Sequence, residues 1–252
     1  MNDLLDHDRL FLRERPSQRQ AMWQEWQTLL FLHWEVPAEI LRPLVPSTLD
    51  LDLFEGKAYI GLVPFTMKGV RPIGFPHIPA LCDFHETNVR TYVHFQGRNP
   101  GVWFFSLDAA NRLAVLVARH WFKLPYYHAQ MEMSQAQNQI TYSTVRAPYE
   151  RRPAHLKTRY EVEDGVFFAT QGTLDFFLAE RYLLYAMQGN TLYSGQVYHT
   201  PYPLQRAKVL MLEESMVQAA GIAHGAEMPL AHYAEGVKVR VYGLQKVRGE
   251  AK

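Results

Sequence analysis

The feature of this sequence that most constrains its fold is a series of short strand-like runs separated by turns rich in glycine, proline and asparagine. Residues 155–162 alternate charged and apolar side chains, which is typical of an antiparallel strand with one solvated face. Residues 26–36 form one unbroken alternation with apolar side chains on both faces, which indicates a strand buried on both sides. Helical patterns are few, and strands and helices do not alternate regularly. We therefore predict an α+β fold built on a mostly antiparallel sheet that closes or curls on itself.

Length, composition and charge narrow the class of protein. The 252 residues have a formal net charge of +1, with acidic and basic residues interspersed, so we predict no nucleic-acid partner. Residues 1–20 are predicted to form a charged, weakly packed N-terminal arm, and residues 21–252 a single domain. The apolar runs are too short to span a membrane, and the single cysteine, Cys82, suits a reducing compartment, so we expect a cytoplasmic protein. Association into a homo-oligomer is left open.

A polar face is predicted on the run FHETNVRTYVHF at residues 84–95. Because side chains alternate along a strand, one face gathers Glu86, Asn88, Arg90, Tyr92 and His94. This face either contacts solvent or lines a polar cavity inside a closed sheet. His33, in the doubly buried run, is interpreted as a core histidine bonded to a neighbour, with a catalytic role as the alternative.

The stretch that follows adds a helix and two tyrosines. Asp108 precedes the helical pattern AANRLAVLVARHWF and is predicted to be its N-cap. Arg119 lies in that helix, where its guanidinium would either anchor a ligand carboxylate or form a surface ion pair. Tyr126 and Tyr127 begin the next strand and point to opposite faces, so one of them should face inward, where a phenol can donate a proton.

Motifs for several common chemistries are absent from the sequence. It contains no HExxH, no paired CxxC, no glycine-rich phosphate loop and no nucleophile elbow. Its 11 histidines lack metal-ligand spacing. We therefore predict neither a metal nor a cofactor.

Several strings of the sequence resemble a known bacterial family. They are FLHWEVP, LDLFEGKAYIGLVPFTM, TNVRTYV, SLDAANRLAVLVAR, LPYYHA, AERYLLY and YHTPYPL. Over about residues 23–247 the chain resembles domain-of-unknown-function family 2071, which is thought to share the fold of acetoacetate decarboxylase. The resemblance implies a closed β-barrel or β-cone with a few flanking helices.

The resemblance also implies a site, with one departure from the decarboxylase pattern. Acetoacetate decarboxylase forms a Schiff base through one of two adjacent lysines that follow a proline. Here the proline is Pro125, Tyr126 and Tyr127 stand where the lysines would, and His120 replaces an acidic residue. Tyrosine cannot form an imine, and Lys123 lies two residues before the proline. The reaction that defines the decarboxylase is therefore not expected.

Two functional hypotheses follow, and both place a small-molecule ligand in a pocket. In the first, the protein is an enzyme that acts on a small carboxylate or carbonyl metabolite without a Schiff-base lysine. Proton transfer would fall to Tyr126, His120 or Glu180, and substrate binding to Asn88, Arg90, Tyr92, Arg119, Tyr182 and His199. In the second, the same residues only orient a ligand in a non-catalytic binding protein. For Glu180, an ion pair at the start of a hairpin is the competing interpretation.

Overall fold

The computed structural model describes residues 2–248, with side chains described for residues 4–248. Its thirteen strands are β1 (Gln20–Val36), β2 (Asp50–Leu51), β3 (Ala58–Pro72), β4 (Phe84–Phe95), β5 (Arg98–Ala109), β6 (Tyr126–Ala136), β7 (Gln139–Arg146), β8 (His155–Val162), β9 (Leu183–Gln188), β10 (Thr191–Tyr198), β11 (Leu204–Glu214), β12 (Leu230–Tyr242) and β13 (Gln245–Lys246). The helices in this part of the chain are α1 (Asn2–Arg13), α2 (Ala38–Leu41), α3 (Pro79–Cys82), α4 (Arg112–Trp121), α5 (Leu174–Ala179) and α6 (Met216–Ala219), with a 3-10 helix at Arg42–Leu44. Among these helices none has both the length and the apolar character needed to cross a membrane.

The strands pair into one sheet that returns on itself. Their order is β13-β10-β9-β5-β6-β7-β8-β11-β12-β1-β3-β4-β2, and β4 also pairs with β5 and β10 with β12. Within the described residues the parallel pairings are β5 with β6 and β5 with β9, and the other pairings are antiparallel. The extra pairings make the sheet ring-like. The predicted mostly antiparallel α+β fold is confirmed.

The ring-like sheet surrounds two interiors that share the strands β1, β3 and β4. The hollow interior is bordered in order by β12, β1, β3, β4, β5, β9 and β10. In the filled interior, side chains of the shared strands pack against β7, β8 and α6. Leu30, Ile60 and Val89 lie on this filled side, and all three are fully buried. Because successive side chains of a strand point to opposite faces, the same strands serve both interiors.

Strand β1 changes its alternation at Thr28. The backbone there has a φ of 53°, in the left-handed region, and the register of β1 with β3 shifts around it. Before this bulge the even-numbered Trp26 lines the hollow interior, and after it the odd-numbered Leu29 does. One inserted residue reverses which side chains point inward. The prediction of an unbroken alternation over residues 26–36 is therefore wrong at this point.

The N-terminal helix packs tightly against the rest of the chain. Helix α1 buries Leu5 and Leu12, and Arg9 is only 2% exposed. The Arg9 guanidinium forms a buried ion pair with Asp52. A buried arginine is tolerated where carboxylates neutralise it. The prediction that residues 1–20 pack weakly is therefore wrong, while the boundary between arm and domain stays a prediction.

Helix α4, which covers one end of the hollow interior, begins later than the sequence suggests. Asn111 is its N-cap, and the Asn111 side chain accepts a hydrogen bond from the Ala114 N–H at 3.0 Å. Strand β5 continues to Ala109 because it pairs with β4 on one side and β6 on the other. Asp108 therefore lies inside β5, where its carboxylate accepts hydrogen bonds from Arg146 at 2.7 and 2.8 Å. The prediction that Asp108 caps the helix is wrong.

Candidate functional site: a cavity with one unpaired guanidinium

A cavity of about 470 Å³ occupies the hollow interior. Eight strands contribute to its wall, because Tyr126 of β6 joins the seven strands that border the interior, and helix α4 and the segment 75–82 partly cover its open end. This volume is typical of sites for small molecules. Most of its lining side chains are aliphatic or aromatic. Among the described residues, the acidic and basic side chains that line it are Arg71, Glu86, Arg90 and Arg181.

The polar face of β4 is turned towards this cavity. Glu86, Asn88 and Arg90 line it and are 2%, 5% and 9% exposed. Val89, on the opposite face of the strand, packs in the filled interior. For these three residues the structure supports the cavity and not contact with bulk solvent, whereas Tyr92 and His94 of the same predicted face do not line it.

Glu86 and Tyr126 form a hydrogen-bonded pair in the cavity wall. The Tyr126 hydroxyl donates to Glu86 Oε2 at 3.0 Å. Burial raises the pKa of the Glu86 carboxyl to about 8; the hydrogen bond from Tyr126 opposes this rise, and the charge of Asp108 adds to it. Burial and the neighbouring Glu86 raise the pKa of Tyr126 well above its ordinary value. Near neutral pH the pair is mainly uncharged, and Glu86 can take up or release a proton close to that pH.

Tyr126 is the inward-facing member of the tyrosine pair. The ring centre of Tyr127 lies 3.9 Å from the guanidinium carbon of Arg146, and Tyr127 does not line the cavity. Lys123 also points elsewhere, since its Nζ lies 5.8 Å from the ring centre of Tyr193. In the part of the chain that the structure describes, no lysine lines the cavity. These lining residues therefore offer tyrosine, and not lysine, at the position implied by the resemblance.

Arg90 is a buried cation without a buried anion beside it. No described residue forms a hydrogen bond or ion pair with its guanidinium, and its Nε is buried without a partner. Its guanidinium carbon lies 5.6 Å from the ring centre of Phe31 and 5.8 Å from that of Tyr92. Gly61 faces it across the strands, where an added Cβ would come within 3.4 Å of Arg90 Cγ. Aromatic faces stabilise the guanidinium, but they leave its fork of N–H donors free for a ligand.

Arg181, the other deeply buried arginine of the lining, has a counter-ion. Its guanidinium donates to the Asp52 carboxylate and lies 4.6 Å from the ring centre of Tyr92. Burial is the main cause that lowers the pKa of Arg181, to about 10, and the charge of Arg9 acts in the same direction. Arg181 therefore stays protonated at neutral pH and is neutralised by Asp52, in contrast to Arg90.

Glu180, Tyr182 and His199 form a cluster beside the cavity. The Glu180 carboxylate accepts from Arg13 at 2.9 Å and from the Tyr182 hydroxyl at 2.6 Å, and it does not line the cavity. Tyr182 lines the cavity and its ring centre lies 4.7 Å from that of His199. Burial lowers the pKa of His199 to about 4, and Arg90 adds to this, so the imidazole is neutral. The ion pair of Glu180 is thus made with the N-terminal helix and not with a ligand.

Five predicted site residues lie outside the lining of the cavity: Glu180 and His199 of the cluster just described, and Tyr92, Arg119 and His120. Tyr92 is fully buried behind it, with its hydroxyl 2.6 Å from Nε2 of His33. Arg119 is exposed on α4, where it donates to the Tyr126 carbonyl at 2.7 Å and to Glu150 at 2.8 Å. His120 is exposed on the same helix. Arg119 therefore forms the surface ion pair that was the alternative to a ligand anchor.

The sequence-based selection leaves out three charged residues of the lining, Arg71, Glu86 and Arg181. Glu86 shares the polar face with Asn88 and Arg90, so the alternation that identified those two was a sufficient signal for it. Arg181 sits between Glu180 and Tyr182, and no local pattern distinguishes which of the three points inward. Within the described residues no group of three His, Cys, Asp or Glu side chains could hold a metal ion.

Comparison with known proteins places the chain in a family. A profile of domain-of-unknown-function family 2071 (DUF2071), an uncharacterized conserved protein, matches residues 23–238. The chain belongs to this family. The uncharacterized protein YqjF of Bacillus subtilis is 40% identical over 225 residues, which cover 89% of this chain and 92% of YqjF. The family resemblance of the sequence is thereby confirmed.

Solved structures of acetoacetate decarboxylase-like proteins share the fold. The enduracididine biosynthesis enzyme MppR, complexed with pyruvate, has a TM-score of 0.64 at 11% identity and covers 94% of this chain and 95% of its own. Acetoacetate decarboxylase from Legionella pneumophila has a TM-score of 0.64 at 10% identity, with 93% of this chain and 90% of that chain covered. At this identity the likeness establishes the fold alone. It confirms the acetoacetate decarboxylase-like architecture.

Proposed function

We propose that the cavity binds a small organic carboxylate and that Arg90 is its anchor. The observation that carries the proposal is a buried guanidinium that faces a preformed cavity and has no counter-ion among the described side chains. An unpaired buried charge destabilises the empty protein. A ligand carboxylate would neutralise this charge and accept two parallel hydrogen bonds from the guanidinium fork. Ligand binding would thereby offset the cost of keeping Arg90 in the interior.

Asn88 favours a ligand with a second polar group near its carboxylate. Asn88 lies two residues from Arg90 on the same face of β4, which corresponds to about 7 Å along the strand. Its Oδ1 is buried, and no described residue donates to it. A hydroxyl or enol group of the ligand would satisfy this acceptor. Pyruvate, which MppR holds in its solved complex, is a small 2-oxo acid whose enol form carries such a hydroxyl.

The Glu86–Tyr126 pair favours a second step, in which the protein moves a proton of the bound acid. Glu86 has the property of a general base at near-neutral pH, because its pKa is raised to about 8. In its ionised form it would accept a proton from the carbon next to the ligand carbonyl, and Tyr126 would hold its carboxylate in position. The alternative is a non-catalytic binding protein, in which this pair only shapes the wall.

Calorimetric titration with pyruvate and acetoacetate tests the binding step. The wild-type protein is expected to bind, and Arg90→Met is expected to weaken binding by at least about thirtyfold because the carboxylate loses its charged partner. Arg151→Met, at an exposed arginine outside the cavity, is the matched control and should bind like the wild type. Equal affinity of wild type and Arg90→Met for both acids would refute the anchor.

Proton exchange separates the enzyme from the binding protein. In D2O, loss of the methyl proton signal of pyruvate would be followed by NMR with wild type, Glu86→Gln and Tyr126→Phe. An enzyme should accelerate exchange, with a rate that rises with pH through about 8, and Glu86→Gln should lower the rate by at least about a hundredfold. Pyruvate that binds through Arg90 without accelerated exchange would assign the protein to the non-catalytic alternative for this ligand.

A further inference from the structure

The polar groups that face the cavity are unevenly distributed along it. Around Arg90 the cavity ends at Phe31 and Tyr202, with Tyr92 buried behind them, and all three are at most 4% exposed. Away from this end, level with Asn88, Glu86 and Phe84 of β4, the walls are formed by the side chains of Leu107, Phe65 and Met67. A ligand that places its carboxylate on Arg90 would therefore project its remaining atoms along an apolar wall.

The open end of the cavity is also apolar. Six lining residues there are large apolar side chains that remain exposed: Phe75, Ile78, Leu81, Leu113, Val117 and Trp121. Phe75 is 65% and Trp121 57% exposed. Exposed apolar side chains that cluster around a cavity are typical of a binding surface and not of an ordinary wet surface. A very small acid such as pyruvate, bound at Arg90, would leave these apolar side chains uncovered.

We infer that the ligand is a carboxylic acid with an aliphatic tail, of the medium-chain fatty acid class, bound with its carboxylate on Arg90 and its tail towards the apolar open end. This inference rests on the proposed function of Arg90 as the carboxylate anchor. Burial of the tail against apolar walls would supply affinity, and the single guanidinium would fix its direction.

The Glu86–Tyr126 pair is compatible with an apolar tail that passes beside it. The phenol and the carboxyl satisfy each other by a hydrogen bond at 3.0 Å. Since burial raises the pKa of Glu86 to about 8, the carboxyl is mainly neutral at pH 7. A tail that crosses this part of the wall therefore does not displace water from a free anion.

A homologous series of unbranched acids from butanoate to decanoate tests the inference by calorimetric titration. Affinity should rise about fourfold for each added methylene, the factor that corresponds to burial of one methylene, until the tail fills the cavity. Arg90→Met should weaken every acid of the series, and octan-1-ol, which lacks the carboxylate, should bind more weakly than octanoate. Affinities that depend on Arg90 but stay flat along the series would overturn the aliphatic tail and leave the carboxylate anchor intact. Affinities that do not depend on Arg90 would overturn both.

A substitution on α4 gives a second test. Ala118 lines the cavity, so Ala118→Phe should shorten the space for the tail. The substitution is expected to lower the affinity for octanoate and decanoate at least tenfold, while butanoate binds as it does to the wild type. Leu116→Phe, on the same helix but outside the lining and 56% exposed, is the matched control and should leave the series unchanged. If Ala118→Phe affects all chain lengths equally while its melting temperature matches the control, the tail does not run towards α4 and the inference fails.

Discussion

The two interiors of the sheet differ although they share β1, β3 and β4. On the filled side, the shared strands meet the apolar faces of β7 and β8 together with α6. On the hollow side, they face β9, β10 and α4 across a cavity of about 470 Å³. On each shared strand, the side chains of one face thus pack in a core, and those of the other face line a pocket.

Two buried arginines, Arg146 and Arg90, differ in the same way. Arg146 extends from the face of β7 that also carries Ile140 and Tyr142 of the filled side, and Asp108 neutralises it through two hydrogen bonds. Arg90 faces the hollow side, and no described residue neutralises it. The filled side is therefore arranged for stability, while the hollow side keeps a charge that destabilises the empty protein and is available to a ligand.

Substitution of the two arginines should give the largest difference between the interiors. Arg146→Met is expected to lower the free energy of unfolding by about 3–5 kcal/mol because the buried Asp108 carboxylate loses its partner. Arg90→Met should leave the ligand-free protein equally stable or make it more stable, since it removes an unpaired buried charge. Urea unfolding of both variants measures the difference. Similar losses in the two variants would mean that Arg90 has an unrecognised structural partner and would contradict the comparison.

Two adjacent leucines of β1 offer a matched comparison of packing. Leu30 is fully buried in the filled interior, and Leu29, 2% exposed, lines the cavity. Leu30→Ala should lower the free energy of unfolding by about 2–5 kcal/mol, because it creates a new void in a packed core. Leu29→Ala should cost less than half as much, because that side chain already borders open space. Chemical denaturation of the two variants measures both losses. A larger loss of unfolding free energy for Leu29→Ala than for Leu30→Ala would mean that the hollow side is packed in solution.

The smallest expected effect is a pH dependence that comes from Glu86. Its pKa in the folded protein is raised to about 8 from an ordinary value of 4.5, so its neutral form is favoured on folding. The contribution of Glu86 to stability is therefore fully present below about pH 4.5 and is lost as the pH rises through about 8. Relative to Glu86→Gln, the wild type should lose on the order of 1 kcal/mol between pH 6 and pH 7. Parallel stability curves of the two proteins over this range would show that Glu86 is not desolvated.

Much of the candidate site can be predicted from the alternation of side-chain direction along single strands. The period of two on β4 placed Glu86, Asn88 and Arg90 on one face, and the structure turns that face into the cavity. The same rule separated Tyr126 from Tyr127, although it could not say which of them faces inward. Arg119 and His120 were misplaced because α4 covers the pocket with one face and leaves these two side chains in solvent.

The sequence by itself determined the mostly antiparallel strands, the polar face of β4 and the tyrosine pair that follows Pro125, since each of these depends on residue type and near neighbours. Only the tertiary structure decided the reversal of alternation at Thr28, the burial of Arg9 against Asp52 and the pairing of Glu180 with Arg13. These features depend on partners distant in sequence, whose positions local periodicity does not specify. For the same reason the sequence shows that Arg90 lies on a polar face, but only the folded chain shows that it remains without a counter-ion.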